Sequence, residues 1–107
     1  PEFGIGFYMA ESATKSDEYA VDESTGFYKD VFAMIVFRTV LGKCYNTEEY
    51  DQDAHEKCGI DLNDKGNQKT TRRFDSTIGD RLSAVGTYRE FVVYAQDQVY
   101  PEYVILY

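Results

Sequence analysis

The sequence has little cysteine and histidine, and this scarcity limits the chemistry open to it. Its 107 residues contain two cysteines, Cys44 and Cys58, and one histidine, His55. The two cysteines could form a disulfide in principle, but the sequence shows no sign of secretion, so we expect two free thiols. His55 and Cys58 are close in sequence, but even with Cys44 they supply at most three ligands of the kind that zinc prefers. The sequence therefore predicts no metal site.

Positive charge is also scarce. Lys and Arg number 11 against 19 Asp and Glu, which gives a formal net charge of -8. Nucleic-acid binding requires clustered cations that neutralise phosphates, so we expect no direct binding of DNA or RNA. One small basic stretch, Thr70–Arg73, could touch a phosphate, but a solvated loop is the commoner explanation of such a stretch.

No apolar run is long enough to cross a membrane. The longest, Val31–Phe37, is far shorter than the roughly 20 residues that a membrane-spanning helix needs. The N-terminus also lacks the basic and apolar segments of a secretory signal. We therefore expect a soluble, intracellular protein without membrane partners, in either the nucleus or the cytoplasm.

What the sequence does contain indicates one domain over residues 1–107. A hydrophobic content of 43% with 28% charged residues is typical of a single soluble fold. Gly4 and Gly6 predict a tight turn into a short buried strand that ends at Ala10. Ser12 is suited to cap a short helix over Ala13–Ala20.

The rest of the chain is richer in strand-forming residues. Val31–Leu41 is typical of a central strand buried on both faces until Arg38, with a buried helix as the alternative. Residues 46–69 are polar and rich in turn-forming residues, which predicts a long surface loop. Tyr88–Tyr94 and Tyr103–Tyr107 predict two closing strands. We therefore predict an α+β fold that is mostly β, with one short helix near its start.

Two blocks of the sequence resemble a known family. Gly6–Glu11 followed by Thr14–Tyr19 is similar to the Gly-Ile-Tyr-Phe-Ala-Glu/Asp and Ser-Lys-Ser-x-x-Tyr signature of the poly(ADP-ribose) polymerase-type, diphtheria-toxin-like ADP-ribosyltransferases. Tyr88–Tyr94, continued by Gln98–Tyr103, resembles the family's closing strands, where a Glu lies within Glu-Tyr/Phe-x-Val-Tyr. With Arg38–Lys43 between the blocks, the resemblance covers nearly the whole chain and corresponds to the C-terminal half of the catalytic domain.

The resemblance implies a fold and two central residues. The fold would be a split, mostly antiparallel β-sheet that is incomplete at its N-terminus. Tyr8 and Glu90 would be the tyrosine and glutamate of the family's His-Tyr-Glu set. The matching histidine would precede the first residue, and His55 does not replace it, so we expect the chain alone to be inactive.

The resemblance also implies a substrate and the residues that hold it. NAD would be the co-substrate, without a metal, and ADP-ribose would pass to a protein acceptor as nicotinamide is released. Glu90 would stabilise positive charge on the ribose. Tyr19 would stack on the nicotinamide, and Ser16 would hydrogen-bond its carboxamide. Lys15 would lie near the glutamate, and Tyr8 would pack along the other side of the ligand.

Several alternatives stay open at this stage. A module of the same fold could bind NAD, ADP-ribose or a protein partner without turnover, or Glu90 could face solvent in a purely structural domain. Glu90 permits polymer synthesis without proving it, so poly- and mono-ADP-ribosylation both stand. Residues 74–81 are expected to form a loop that shapes access for the acceptor.

Overall fold

The computed structural model describes residues 2–12, 29–64, 67–80 and 89–107. Its strands in this part of the chain are β1 (Phe7–Ala10), β2 (Ala33–Thr39), β3 (Cys44–Thr47), β4 (Ser76–Gly79), β5 (Glu90–Val93) and β6 (Val99–Leu106). One α-helix, α1 (Ala54–Lys57), and two 3₁₀ turns, Leu62–Asp64 and Gln96–Gln98, complete these elements. The predicted helix Ala13–Ala20 lies outside the described residues.

The strands form two sheets. Four of them lie in the order β1-β5-β4-β3, and β2 pairs with β6 in a separate two-stranded sheet. The pairs β1–β5, β4–β5 and β2–β6 are antiparallel, whereas β3–β4 is parallel. This arrangement confirms the prediction of an α+β fold with a split, mostly antiparallel sheet.

The four-stranded sheet has two distinct faces, because residues directly opposite each other in a pairing register share a side. The first face carries Tyr8 and Ala10 of β1, Glu90 and Val92 of β5, and Thr77 and Gly79 of β4. Its core consists of Val92 with Phe3 and Ala54, against which three tyrosines pack: Tyr8, Tyr45 and Tyr94. The first face is therefore the one that holds most of the buried core.

The second face meets the two-stranded sheet. The rings of Phe7 and Phe37 pack edge to face with centroids 5.0 Å apart. Nearby, the Thr39 hydroxyl donates to the sulfur of Met9 over 3.1 Å. These contacts join β1 to β2 although the two strands belong to different sheets.

The turn before β1 forms as predicted. Gly4 has φ +81°, a conformation that glycine adopts without strain, and the His55 ring fills the space that a Cβ at this position would need. The strand that follows lies at the predicted place, but it is half-buried rather than buried, since Phe7 is 42% exposed.

The predicted long surface loop over residues 46–69 is wrong. This segment contains the last two residues of β3 and all of α1. Ala54 in α1 and Cys58, which directly follows α1, are both fully buried. The carboxylate of Asp51 fixes the segment by accepting hydrogen bonds from Lys57 Nζ (2.5 Å) and the Tyr45 hydroxyl (2.9 Å). A four-residue helix is too short to show a helical period in the sequence, so its buried face went unpredicted.

The predicted burial of Val31–Leu41 is also wrong, although the strand itself is confirmed. Ile35 is 48% exposed and Val36 is 38% exposed. Among the described residues β2 has a single strand neighbour, β6, and a two-stranded sheet shields few of its own side chains. A continuous apolar run does not reveal how many neighbours a strand has.

The closing strands are confirmed with shifted bounds. The last strand begins at Val99 rather than at Tyr103, and it includes Pro101. Proline is tolerated here because it lies at the register irregularity of the β2–β6 pair, opposite Phe37. Residues 74–81, expected to form an acceptor loop, instead contain β4, at the centre of the larger sheet.

The Tyr94 hydroxyl ties the first turn of the chain to the larger sheet. It donates to the carbonyl oxygen of Phe3 over 3.0 Å and is hydrogen bonded to Thr77 Oγ1 over 2.9 Å. Burial raises the pKa of Tyr94, so this phenol stays neutral across the physiological range.

We expect Tyr94→Phe to lower the free energy of unfolding by about 1–2 kcal/mol, because it leaves the Phe3 carbonyl and the Thr77 hydroxyl without this partner. Urea unfolding followed by circular dichroism measures the change. The matched control is Tyr103→Phe, since Tyr103 is 67% exposed, and it should change stability by less than about 0.5 kcal/mol. Equal effects of the two variants would contradict this role of Tyr94.

Candidate active site

Glu90 is the first residue of β5 and lies on the first face of the larger sheet. It is opposite Ala10 on one side and Gly79 on the other. One of these neighbours has a single methyl group and the other has no side chain, but the ring of Phe3 occupies the space that a Cβ at Gly79 would need. Glu90 is therefore half-buried, with a small residue on one side and an aromatic ring packed over Gly79 on the other.

Tyr8 lies on the same face as Glu90, two register positions along the β1–β5 pair. Its hydroxyl donates to the carbonyl oxygen of Gly4 over 2.6 Å and accepts from the backbone amide of Phe3 over 2.9 Å. Burial raises the pKa of Tyr8, and the nearby carboxylates of Glu2 and Glu90 raise it further. Tyr8 is therefore a fixed, neutral phenol, suited to forming a wall rather than to exchanging protons at neutral pH.

An ion pair closes the sheet next to Glu90. Arg89 Nε and Nη2 each donate to one carboxylate oxygen of Glu11, both over 2.6 Å. These residues continue the β1–β5 register by one position beyond the Ala10–Glu90 pair. The fork-to-fork geometry holds the ends of both strands together, and so fixes the backbone from which Glu90 projects.

Sequence reasoning singled out neither Arg89 nor Glu11 as a partner of the other. They stand 78 positions apart, and their contact depends on the strand register. One signal in the sequence could have found them. Glu11 directly follows Ala10 in the first family block, and Arg89 directly precedes Glu90 in the second. If the two blocks pair as antiparallel strands, these opposite charges lie across from each other.

Lys15, Ser16 and Tyr19 lie outside the described residues. Their proposed contacts with nicotinamide and with the glutamate stay predictions. The structure brings together Tyr8 and Glu90, which are the other two residues that the sequence singled out.

A cavity of about 360 Å³ opens between the two sheets. Its lining includes Met9 and Phe91, an opposed pair on the second face. Three further residues at the start of the chain also line it: Tyr8, Ala10 and Glu11. The cavity therefore adjoins the candidate site along β1, but its described lining does not include Glu90.

Both cysteines are free thiols, as the sequence predicted. Cys58 is buried beside Thr77, with 3.5 Å between Sγ and Oγ1, and burial raises the pKa of its thiol. Within the described ranges, no three His, Cys, Asp or Glu side chains are grouped so as to hold a metal ion. No helix in these same ranges is long and apolar enough to span a bilayer.

A comparison with protein families agrees with this geometry. The sequence model of the poly(ADP-ribose) polymerase catalytic domain matches residues 1–107. The chain therefore belongs to the poly(ADP-ribose) polymerase catalytic domain family, which confirms the resemblance found in its motifs. Membership points to the ADP-ribosyltransferase class of enzymes, whose co-substrate is NAD.

The Glu11–Arg89 ion pair should affect the titration of the Glu11 carboxyl group. Hydrogen bonds from Arg89 lower the pKa of Glu11 below its ordinary value of 4.5. The pair therefore contributes stability above that pH and loses it as the pH falls through the lowered pKa. Following the Glu11 carboxyl carbon by NMR should give a midpoint below 4.5.

The matched variants are Arg89→Gln and Lys29→Gln, each of which removes one positive charge. Arg89→Gln should return the Glu11 midpoint towards its ordinary value, because both hydrogen bonds are lost. Lys29→Gln should leave the midpoint in place. If the two substitutions move the midpoint equally, net charge rather than the ion pair sets the Glu11 pKa.

Proposed function

We propose that this chain serves NAD-dependent ADP-ribosylation of a protein acceptor, with release of nicotinamide. The observation that carries the proposal is the position of Glu90 on the first face, between Ala10 and Gly79 and two register positions from Tyr8. Family membership over the whole chain adds support, since Tyr8 and Glu90 match the tyrosine and glutamate of the family's motif.

The proposed reaction requires a carboxylate close to the ribose of NAD. Cleavage of the bond between nicotinamide and ribose leaves positive charge on the sugar, which a nearby carboxylate stabilises. The same carboxylate can accept a hydrogen bond from a ribose hydroxyl or from the hydroxyl of an incoming acceptor. Glu90, half-buried on the same face as Tyr8, fits these roles, and the Glu11–Arg89 pair beside it would keep its strand from shifting.

We assign the remaining positions by role. The neutral ring of Tyr8 would form one wall of the nicotinamide site, and Tyr19 would stack from the other side. Ser16 would hydrogen-bond the carboxamide, and Lys15 would keep the Glu90 carboxylate ionised and oriented. Tyr8 would thus act by shape, because its hydroxyl is bound to backbone groups.

One observation favours a second candidate, a module that binds NAD, ADP-ribose or protein without turnover. The Tyr8 ring packs against the core of Phe3, Ala54 and Val92. A tyrosine that packs in this way stabilises the fold whether or not the domain is catalytically active. Binding of NAD without release of nicotinamide would distinguish this candidate from the enzyme.

The transfer of label from NAD to protein tests the proposal, measured with this chain and with any longer protein that contains it. Glu90→Gln should lower the rate at least about 100-fold, a loss typical of removing one charge-stabilising group. The matched control is Glu102→Gln, which also removes one negative charge but lies in β6, paired with Arg38. It should leave the rate within about twofold, since exposed ion pairs contribute little.

A Glu90→Gln variant as active as the wild type would overturn the role of Glu90. Absence of transfer from every folded form, with NAD binding retained, would favour the binding module. The length of the ADP-ribose product on the acceptor distinguishes polymer from single units.

A further inference from the structure

Four described cations form no ion pair within the described ranges, and two of them lie close together; the other two are Lys29 and Lys69. Ion pairs engage four cationic side chains: Arg38, Lys57, Arg72 and Arg89. Lys43 and Arg73 form no ion pair in the described ranges, and both are exposed. Both nevertheless stand against one aromatic ring, that of Phe74.

The geometry places like charges close together. Lys43 Nζ is 5.5 Å from the centroid of the Phe74 ring, and Arg73 Cζ is 5.2 Å from the same centroid. The two cations are therefore no further apart than the sum of these distances. We call Lys43, Arg72, Arg73 and Phe74 the cationic patch.

The nearest carboxylate is already engaged. Asp75 accepts hydrogen bonds from the Lys43 backbone amide (2.9 Å) and from Arg72 Nε (2.8 Å), and these bonds lower its pKa. The same carboxylate also lies near the Lys43 charge, which helps to lower the Asp75 pKa. One carboxylate thus faces two cations of the patch, and Arg73 forms no ion pair in the described ranges. Two like charges held on one ring repel each other, and a bound anion would offset that repulsion.

The parallel pairing of β3 with β4 builds this patch. Cys44 lies opposite Ser76, so the residues just before each strand meet at the same edge of the sheet. Glu90 lies opposite Gly79, at the other end of β4. Three residues at about 3.3 Å each separate the two ends along the strand, so the patch is distinct from the candidate active site.

The surroundings of the patch restrict what it can bind. An acidic side chain lies close by: Asp51 accepts a hydrogen bond from Tyr45, whose ring packs on Phe74 with centroids 5.6 Å apart. The chain as a whole carries a net charge of -8. A long polyanion such as a nucleic acid would extend beyond the patch over an acidic surface and be repelled, whereas a short anionic segment would not.

We propose that the cationic patch docks a short acidic segment of a partner protein, two or three of whose Asp or Glu side chains contact Lys43 and Arg73. The guanidinium of Arg73 can hold a carboxylate through two hydrogen bonds, and Lys43 adds a point charge beside it. Phe74 supplies an apolar contact for the rest of the segment. This surface is independent of the proposed catalysis and can be tested without NAD.

The test is fluorescence anisotropy of a labelled peptide containing six consecutive glutamates, with a six-glutamine peptide as the reference. The chain should bind the glutamate peptide at low salt and release it as sodium chloride is added. Lys43→Gln and Arg73→Gln should each weaken binding about threefold, and the double variant about tenfold. Lys29→Gln, which removes an exposed charge outside the patch, should weaken it less than about 1.5-fold.

Amide NMR spectra would show that each variant keeps its fold. The proposal fails if the glutamate peptide does not bind, or if Lys29→Gln weakens binding as much as the patch variants. It also fails if a single-stranded oligonucleotide of equal charge binds more tightly and depends on Lys43 and Arg73, because the partner class would then be nucleic acid. Peptide binding that depends on the patch residues and not on Lys29 supports it.

Discussion

The pairing of β1 with β5 is the interaction on which the rest of the structure depends. It joins a strand near the start of the chain to one that lies more than 80 positions later, with Phe7 opposite Val93 and Ala10 opposite Glu90. The Tyr94 hydroxyl secures one end of the pair through Phe3, and the Glu11–Arg89 ion pair secures the other. Without this pairing, Tyr8 and Glu90 would share neither a face nor a site.

The same pairing explains what the sequence could and could not predict. The strands that contain Tyr8 and Glu90 were predicted, because β-branched and aromatic residues mark them and the family motif covers both. Which residues oppose each other was not predictable, because register depends on contacts distant in sequence. The partnership of Glu11 with Arg89 thus became visible only in the fold.

Two further elements escaped prediction for the same physical reason. β3 and β4 are four residues long and mixed in polarity, and their parallel pairing spans about 30 positions, so no local pattern marks them. α1 is a single turn within a polar stretch, yet Ala54 and the adjacent Cys58 are fully buried. In contrast, β2 has a strongly apolar sequence and is largely exposed, which shows that composition indicates the tendency to form a strand and not its depth.

The candidate site combines a rigid frame with a half-buried carboxylate. Tyr8 is neutral and fixed by two hydrogen bonds, and Glu90 lies on the same face, opposite Ala10 and Gly79. This division of roles suits a reaction in which the substrate develops positive charge, since the frame positions the substrate and the carboxylate stabilises the charge. The cavity between the sheets has one carboxylate in its described lining, that of Glu11, which is bound by Arg89.

The most direct test is an NMR titration with a non-hydrolysable NAD analogue, using methyl-labelled valine and methionine. Val92 lies on the first face, opposite Tyr8 and two positions along β5 from Glu90, and it does not line the cavity between the sheets. Met9 and Met34, the only methionines of the chain, both line that cavity. A ligand beside Tyr8 and Glu90 should shift the Val92 methyl signals and leave both methionine signals in place. Shifts of Met9 and Met34 without a shift of Val92 would contradict the proposed site, because the ligand would then occupy the cavity between the sheets.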